Sequence, residues 1–208
     1  MKKFLKTSMI FFLAFLFSSC VFAGSPVASG DATMKLVENN VCSMTFGKYG
    51  AFEKKMTKID TTNKTIDIQL KATNNQEALN KLSSIMDKNF TGLCMVNLAD
   101  FDNLYGHLRD VEGYGKALED LDVEMPLLLN RLEMDDLLII TADHGNDPTF
   151  KGNDHTRENV PIIMYCRNFK TPHRLEPQET LACIGATIAD NFDLEPPEIG
   201  TSLLDNFD

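Results

Sequence analysis

Five residues able to hold a cation fall within two short stretches of this chain. "DFDNLYGH" carries Asp102 and His107, and "TADHGNDPTFKGNDHTREN" carries Asp143, His144 and His155. Three of the four histidines belong to this set; the fourth, His173, lies in a Pro-containing loop. Neutral imidazole and carboxylate together suit Mn²⁺ or Zn²⁺. Five donors exceed what one tetrahedral ion requires, whereas two neighbouring ions would use them all. Such ion pairs clamp both oxygens of a phosphoryl displacement. Each residue alone has a plainer use. Asp143 could close a strand-exit turn with Gly145 and Asn146, and His107 could satisfy a backbone carbonyl. The gathering of all five is what argues for a metal site.

The elements that must position them follow from periodicity. "TIDIQLK" alternates apolar and polar residues as a half-buried strand does. "NNQEALNKLSSIMDKN" has an Asn start signal and Leu79, Leu82, Ile85 and Met86 at helical spacing. "GLCMVNLA", "DDLLIITA" and "VPIIMYC" are apolar runs of strand length. "EGYGKALEDLDVEMPLLLNRLE" reads as a helix that Pro126 should kink or divide, and "QETLACIGATIADNF" reads as a closing helix. This alternation predicts an α/β fold with a mostly parallel sheet and helices on its faces. Asp100 and Asp102 then leave one strand and Asp143 and His144 the next, at the carboxyl edge where open sheets bind ligands.

Composition narrows the partners. The 208 residues suffice for one α/β domain with a core, and 43% hydrophobic with 24% charged residues is ordinary for a globular chain. Twenty basic against thirty acidic residues give a net charge of −10, which repels phosphate backbones and argues against nucleic acid as a partner.

Residues 1–23 stand apart. "MKKFLK" followed by "SMIFFLAFLF" and "VFA" reads as a signal-peptide-like segment, with an apolar run too short to span a bilayer comfortably. Cleavage after Ala23 would leave Gly24 first, followed by a linker over 24–45. Acylation of Cys20 is the alternative, and it would make a lipid the only membrane contact. This predicts an exported or periplasmic protein. Cys42, Cys94, Cys166 and Cys183 would remain after cleavage, with no C-x-x-C spacing among them. Cys94 and Cys166 sit in apolar runs, so free core thiols are expected.

The stretches "NLADFDNLYGHLRDVEGYGKALEDLD", "LLIITADHGNDPTFKGNDHTRENVPIIMY" and "IGATIADNFDLEPPEIGTSLL" resemble the C-terminal portion of phosphopentomutases, in the alkaline-phosphatase-like superfamily. The resemblance is dense from Thr91 to Leu204 and weaker back to Phe46, which sets a domain over 46–208. Cofactor-independent phosphoglycerate mutases share "TADHGN" but space the preceding Asp and His one residue closer. The resemblance implies an isomerase that interconverts ribose 1-phosphate and ribose 5-phosphate, and the deoxy forms, through a phosphorylated threonine between two manganese ions. Asp102, His107 and His155 would serve one ion and Asp143 and His144 the other, with Zn²⁺ or Mg²⁺ as alternatives. The substrate would be a sugar phosphate, and the family's ordinary location would be the cytoplasm. The family's "GHRRD" is "GHLRD" here, with Leu108 in place of an arginine.

The resemblance also implies a first strand bearing a further metal Asp, the nucleophilic threonine, and an inserted cap domain. In residues 24–90, Asp31 and Thr33 in "SGDATMK" have the right chemical types but follow no predicted strand, so the core is expected to be partial. Thr141 and Thr156 flank candidate ligands but match no nucleophile position. A chain without that threonine is expected to be impaired as a mutase. The alternative readings are a non-catalytic exported metal-binding relic and a metal-dependent phosphatase.

Overall fold

Leu137–Ala142 is buried at every position, so this strand must be covered on both faces. A computed structural model of the chain describes residues 9–15, 32–34, 44–46, 50–52, 65–70, 72–87 and 91–207. Its larger sheet contains β1 (Met9–Phe15), β5 (Thr65–Leu70), β6 (Thr91–Asn97), β7 (Leu137–Ala142) and β8 (Ile162–Tyr165), in the order β5-β6-β1-β7-β8. β5, β6, β1 and β7 run parallel to one another. A separate antiparallel sheet is formed by β2 (Ala32–Met34), β3 (Met44–Phe46) and β4 (Gly50–Phe52).

Side chains alternating along β7 divide the core. Leu138, Ile140 and Ala142 join Ala78, Leu79 and Leu82 of α1 (Asn75–Met86) and Leu121 and Leu128 of α2 (Val111–Arg131). Leu137 and Ile139 pack instead with Cys183 and Ile184 of α3 (Ala182–Asn191) and with Leu203. Helices therefore lie on both faces of the sheet, and the chain is α/β. Among the described residues, no helix is long and apolar enough to cross a membrane.

Helix starts obey the expected chemistry. Asn74 caps α1 by accepting from the Glu77 N–H at 2.8 Å, and Asp110 caps α2 by accepting from the Gly113 N–H at 2.9 Å.

Two expectations change, at β8 and at Pro126. β8 lies antiparallel to β7, from Leu138 opposite Tyr165 to Thr141 opposite Ile162, so the last strand enters the sheet as an edge without a crossover helix. Pro126 does not divide α2, which is helical on both sides of it. Thr33 lies in β2, within the residues read as a linker.

The first strand falls within the signal-like residues. Met9–Phe15, taken from the signal-like run, sits between β6 and β7, with Phe12 opposite both Met95 and Ile139. An unbroken apolar heptad fits a strand buried on both faces as well as it fits an export segment, because neither needs a polar face. Cys94, Cys166 and Cys183 are free and buried, and burial pushes the Cys94 thiol up to about 12. Cys20 and Cys42 lie outside the described residues.

Candidate metal centre

Asp102 and His107 reach one point through an unusual turn. Phe101–Gly106 is π-helical, and the His107 N–H donates to the Asp102 carbonyl at 2.9 Å, five residues back. A π turn brings residues i and i+5 onto one face, so the five-residue spacing in "DNLYGH" is one full turn here. The side chains meet accordingly, with His107 Nε2 3.2 Å from Asp102 Oδ2. Phe101, fully buried, anchors the turn edge-to-face on Tyr114 of α2 with ring centroids 5.4 Å apart. Gly106 is required by close approach, because a Cβ there would meet Asn146 Nδ2 at 2.4 Å.

His155 arrives on a loop whose ends are tied together. Gly145 and Thr156 form an isolated antiparallel bridge, and the Thr156 N–H donates to the Gly145 carbonyl at 3.0 Å. Thr156 Oγ1 accepts from the Asp147 N–H at 2.7 Å and donates to the Glu158 carboxylate. That carboxylate lies where a Cβ on Gly145 would go. Between these ends, Asp147 accepts from both the N–H and the hydroxyl of Thr149 at 2.7 Å. His155 Nε2 thereby comes within 3.1 Å of His107 Nε2 and 3.4 Å of Asp102 Oδ1.

Asp102, His107 and His155 form one cluster, each offering a donor atom within 4.8 Å of the others. One ion can span that separation. Asp102 is only 2% exposed, so its charge sits in a poorly solvated place. His107 Nδ1 lies 2.6 Å from the Asn153 carbonyl, which can only accept, so that nitrogen carries the proton. In the neutral ring, Nε2 then directs its lone pair at the cluster centre, the usual arrangement of a metal-binding histidine.

The other two candidates adjoin this cluster. The His144 ring stacks on His155 with centroids 3.7 Å apart, and His144 Nε2 faces Asp143 Oδ1 at 3.6 Å. Burial lowers the His144 pKa, and repulsion from His155 lowers it further, so the ring is held neutral. Burial raises the Asp143 carboxyl to about 7, with Asp102 adding to the rise and the N–H groups of Asp143 and His144 opposing it. Asp143 Oδ1 is also buried without a hydrogen-bond donor. A half-buried carboxylate with one buried, undonated oxygen beside a neutral imidazole suits a cation, which would supply the missing charge.

Asp100 is elsewhere. Its carboxylate accepts from the Asn75 N–H at 2.8 Å while the Asn75 side chain accepts from the Asp100 N–H at 3.1 Å, which staples β6 to the start of α1. His173 pairs with Thr171 at 2.9 Å, away from the cluster. Asn146 went unnoticed as more than a turn residue, yet its amide donates to Asp102 Oδ1. Arg109 was equally missed, and no spacing rule would have found it, because its partners are four backbone carbonyls and the Asn146 amide, which only folding brings together.

Residues 38–196 match the family model of the Metalloenzyme superfamily. The match spans more than half of the chain and includes all five candidate ligands, and the chain belongs to that superfamily. β1 and β2 lie outside the matched residues.

Proposed function

We propose that this chain is a phosphopentomutase-like metalloprotein with a two-ion site that binds a sugar phosphate. The convergence of Asp102, His107 and His155 within 4.8 Å carries this proposal. Asp102, His107 and His155 would hold one Mn²⁺, and Asp143 and His144 would hold the other, with Zn²⁺ or Mg²⁺ as alternatives. Bound divalent ions would supply charge neutralisation for a phosphoryl group. The chain's own contribution is to keep the His144 imidazole neutral, hold Asp102 away from water and fix both ligand-bearing turns.

Titration with Mn²⁺ tests the assignment. Wild type should bind, Asp102→Ala should lose the first ion, and Asp143→Ala with His144→Ala should lose most binding of the second. Equal binding by all three proteins, or none by any, sinks the site.

The activity expected of this 208-residue polypeptide by itself is hydrolytic. Two threonines near the cluster are already engaged: Thr141, 2% exposed, donates to the Ala142 carbonyl, and Thr156 donates to Glu158. A mutase needs a nucleophile that holds the phosphoryl group while the sugar turns over, and losing one costs several orders of magnitude in rate. Ribose 5-phosphate formation should therefore be undetectable in a coupled assay with Mn²⁺. Slow turnover of p-nitrophenyl phosphate should persist and vanish with His155→Ala. Brisk mutase turnover sensitive to His155→Ala would reveal an overlooked nucleophile, with Thr33 the first to replace.

A further inference from the structure

We propose that Arg109 is a positioning residue that sets the geometry of the Asp102–His107–His155 cluster from beneath; this rests on the metal assignment above. Its guanidinium faces acceptors from two segments far apart in sequence. Nη1 donates to the Gly106 carbonyl at 2.9 Å, to Asn146 Oδ1 at 2.6 Å and to the Asp147 carbonyl at 2.8 Å. Nη2 donates to the Asp154 carbonyl at 2.5 Å, and Nε donates to the Gly152 carbonyl.

Four of the five contacts lie just behind a ligand. Asn146, oriented by Arg109, donates its amide to Asp102. Gly152 and Asp154 flank Asn153, whose carbonyl receives the His107 Nδ1 proton. Asp154 directly precedes His155. A single planar fork thus fixes the amide behind the carboxylate, the carbonyl behind one imidazole and the backbone of the other.

Lysine cannot replace it. An ammonium has three donors around one point and cannot reach acceptors spread along a fork. The backbone supports a special role for this position as well. Arg109 has φ +56°, in the left-handed region that a non-glycine residue adopts at a cost. Tertiary contacts must hold it there, and the guanidinium network is the visible candidate.

The backbone conformation makes a clean test available. Arg109→Gly removes the side chain while suiting the positive φ, and it leaves a space shaped for a free guanidinium ion. In the metal-free wild type, the His107 Nδ1–H should give a slowly exchanging ¹⁵N-coupled NMR signal. Arg109→Gly should lose that signal, ethylguanidinium should restore it, and Arg109→Lys should not show it. Mn²⁺ affinity at the three-residue position should fall about 10- to 100-fold in Arg109→Gly and recover with ethylguanidinium. An unchanged signal and affinity would overturn the proposal. So would a loss that ethylguanidinium leaves unrelieved, since the arginine would then merely hold the fold. If wild type binds no Mn²⁺ while the His107 signal behaves as expected, the metal assignment fails and the positioning role stands.

Discussion

Phe12→Pro should lower the melting temperature by about 6–12 °C, from a loss of about 3 kcal/mol or more. β1 is hydrogen-bonded on both sides, to β6 and to β7. Every N–H in such a strand points at one neighbour or the other, so proline must delete a ladder bond and crowd the adjacent strand. Against a typical total stability of about 5–15 kcal/mol, that loss is large. Thermal melts of wild type and variant decide it, and coincident curves would remove residues 9–15 from the folded sheet.

Export and this sheet exclude one another. Cleavage after Ala23 would take away β1 and leave β6 and β7 each without a partner on one side. The intact mass of protein purified from a bacterial host separates the two. A chain starting at Gly24 keeps the export proposal, and a retained residue 1–23 segment favours the sheet and a cytoplasmic protein.

The second large effect couples metal and pH. In metal-free protein, the folded-state pKa of Asp143 is raised to about 7. Below the ordinary carboxylate range both folded and unfolded chains are protonated, and no penalty exists. As pH climbs from about 4 to about 7, the unfolded chain ionises while the folded one stays neutral, so metal-free stability falls across that window. Asp143→Asn should flatten this slope. Divalent ions reverse its sense, because the ligands must shed protons to bind, so affinity rises with pH. At about 100 times the Kd, Mn²⁺ should add about 2.7 kcal/mol, or about 5–10 °C in Tm, near pH 8. At pH 5 the shift should nearly vanish. Melting curves in chelator and in Mn²⁺ across this range test both claims, and a shift that does not vary with pH would exclude Asp143 and the histidines as ligands.

Much of the site was legible because its chemistry is local. Asp102 to His107 and Asp143 to His144 are short spacings at strand ends, and a strand's exit can be read from where its apolar run stops. His155 came from the same motif. Arg109 and Asn146 were not legible, because their value lies in carbonyls and amides that only folding assembles. The strand and helix periods of β5, α1, β6, β7 and α3 were plain. The direction of β8 was not, since "VPIIMYC" reads identically in either orientation and only the loop before it decides. β1 lies in the run read as an export segment for a related reason. An apolar heptad reports that it avoids water, without reporting whether lipid or a sheet receives it.

The Gly145–Thr156 bridge bears on how an ion would be captured. The loop between them is already a closed ring, cinched within by Asp147 and across by Arg109. The entropy of closing it is spent during folding, not at the moment of binding. Capture should then resemble filling a rigid chelator, with a small heat-capacity change and no concentration-independent slow phase in stopped-flow mixing. A metal that had to fold its own loop would betray itself by both.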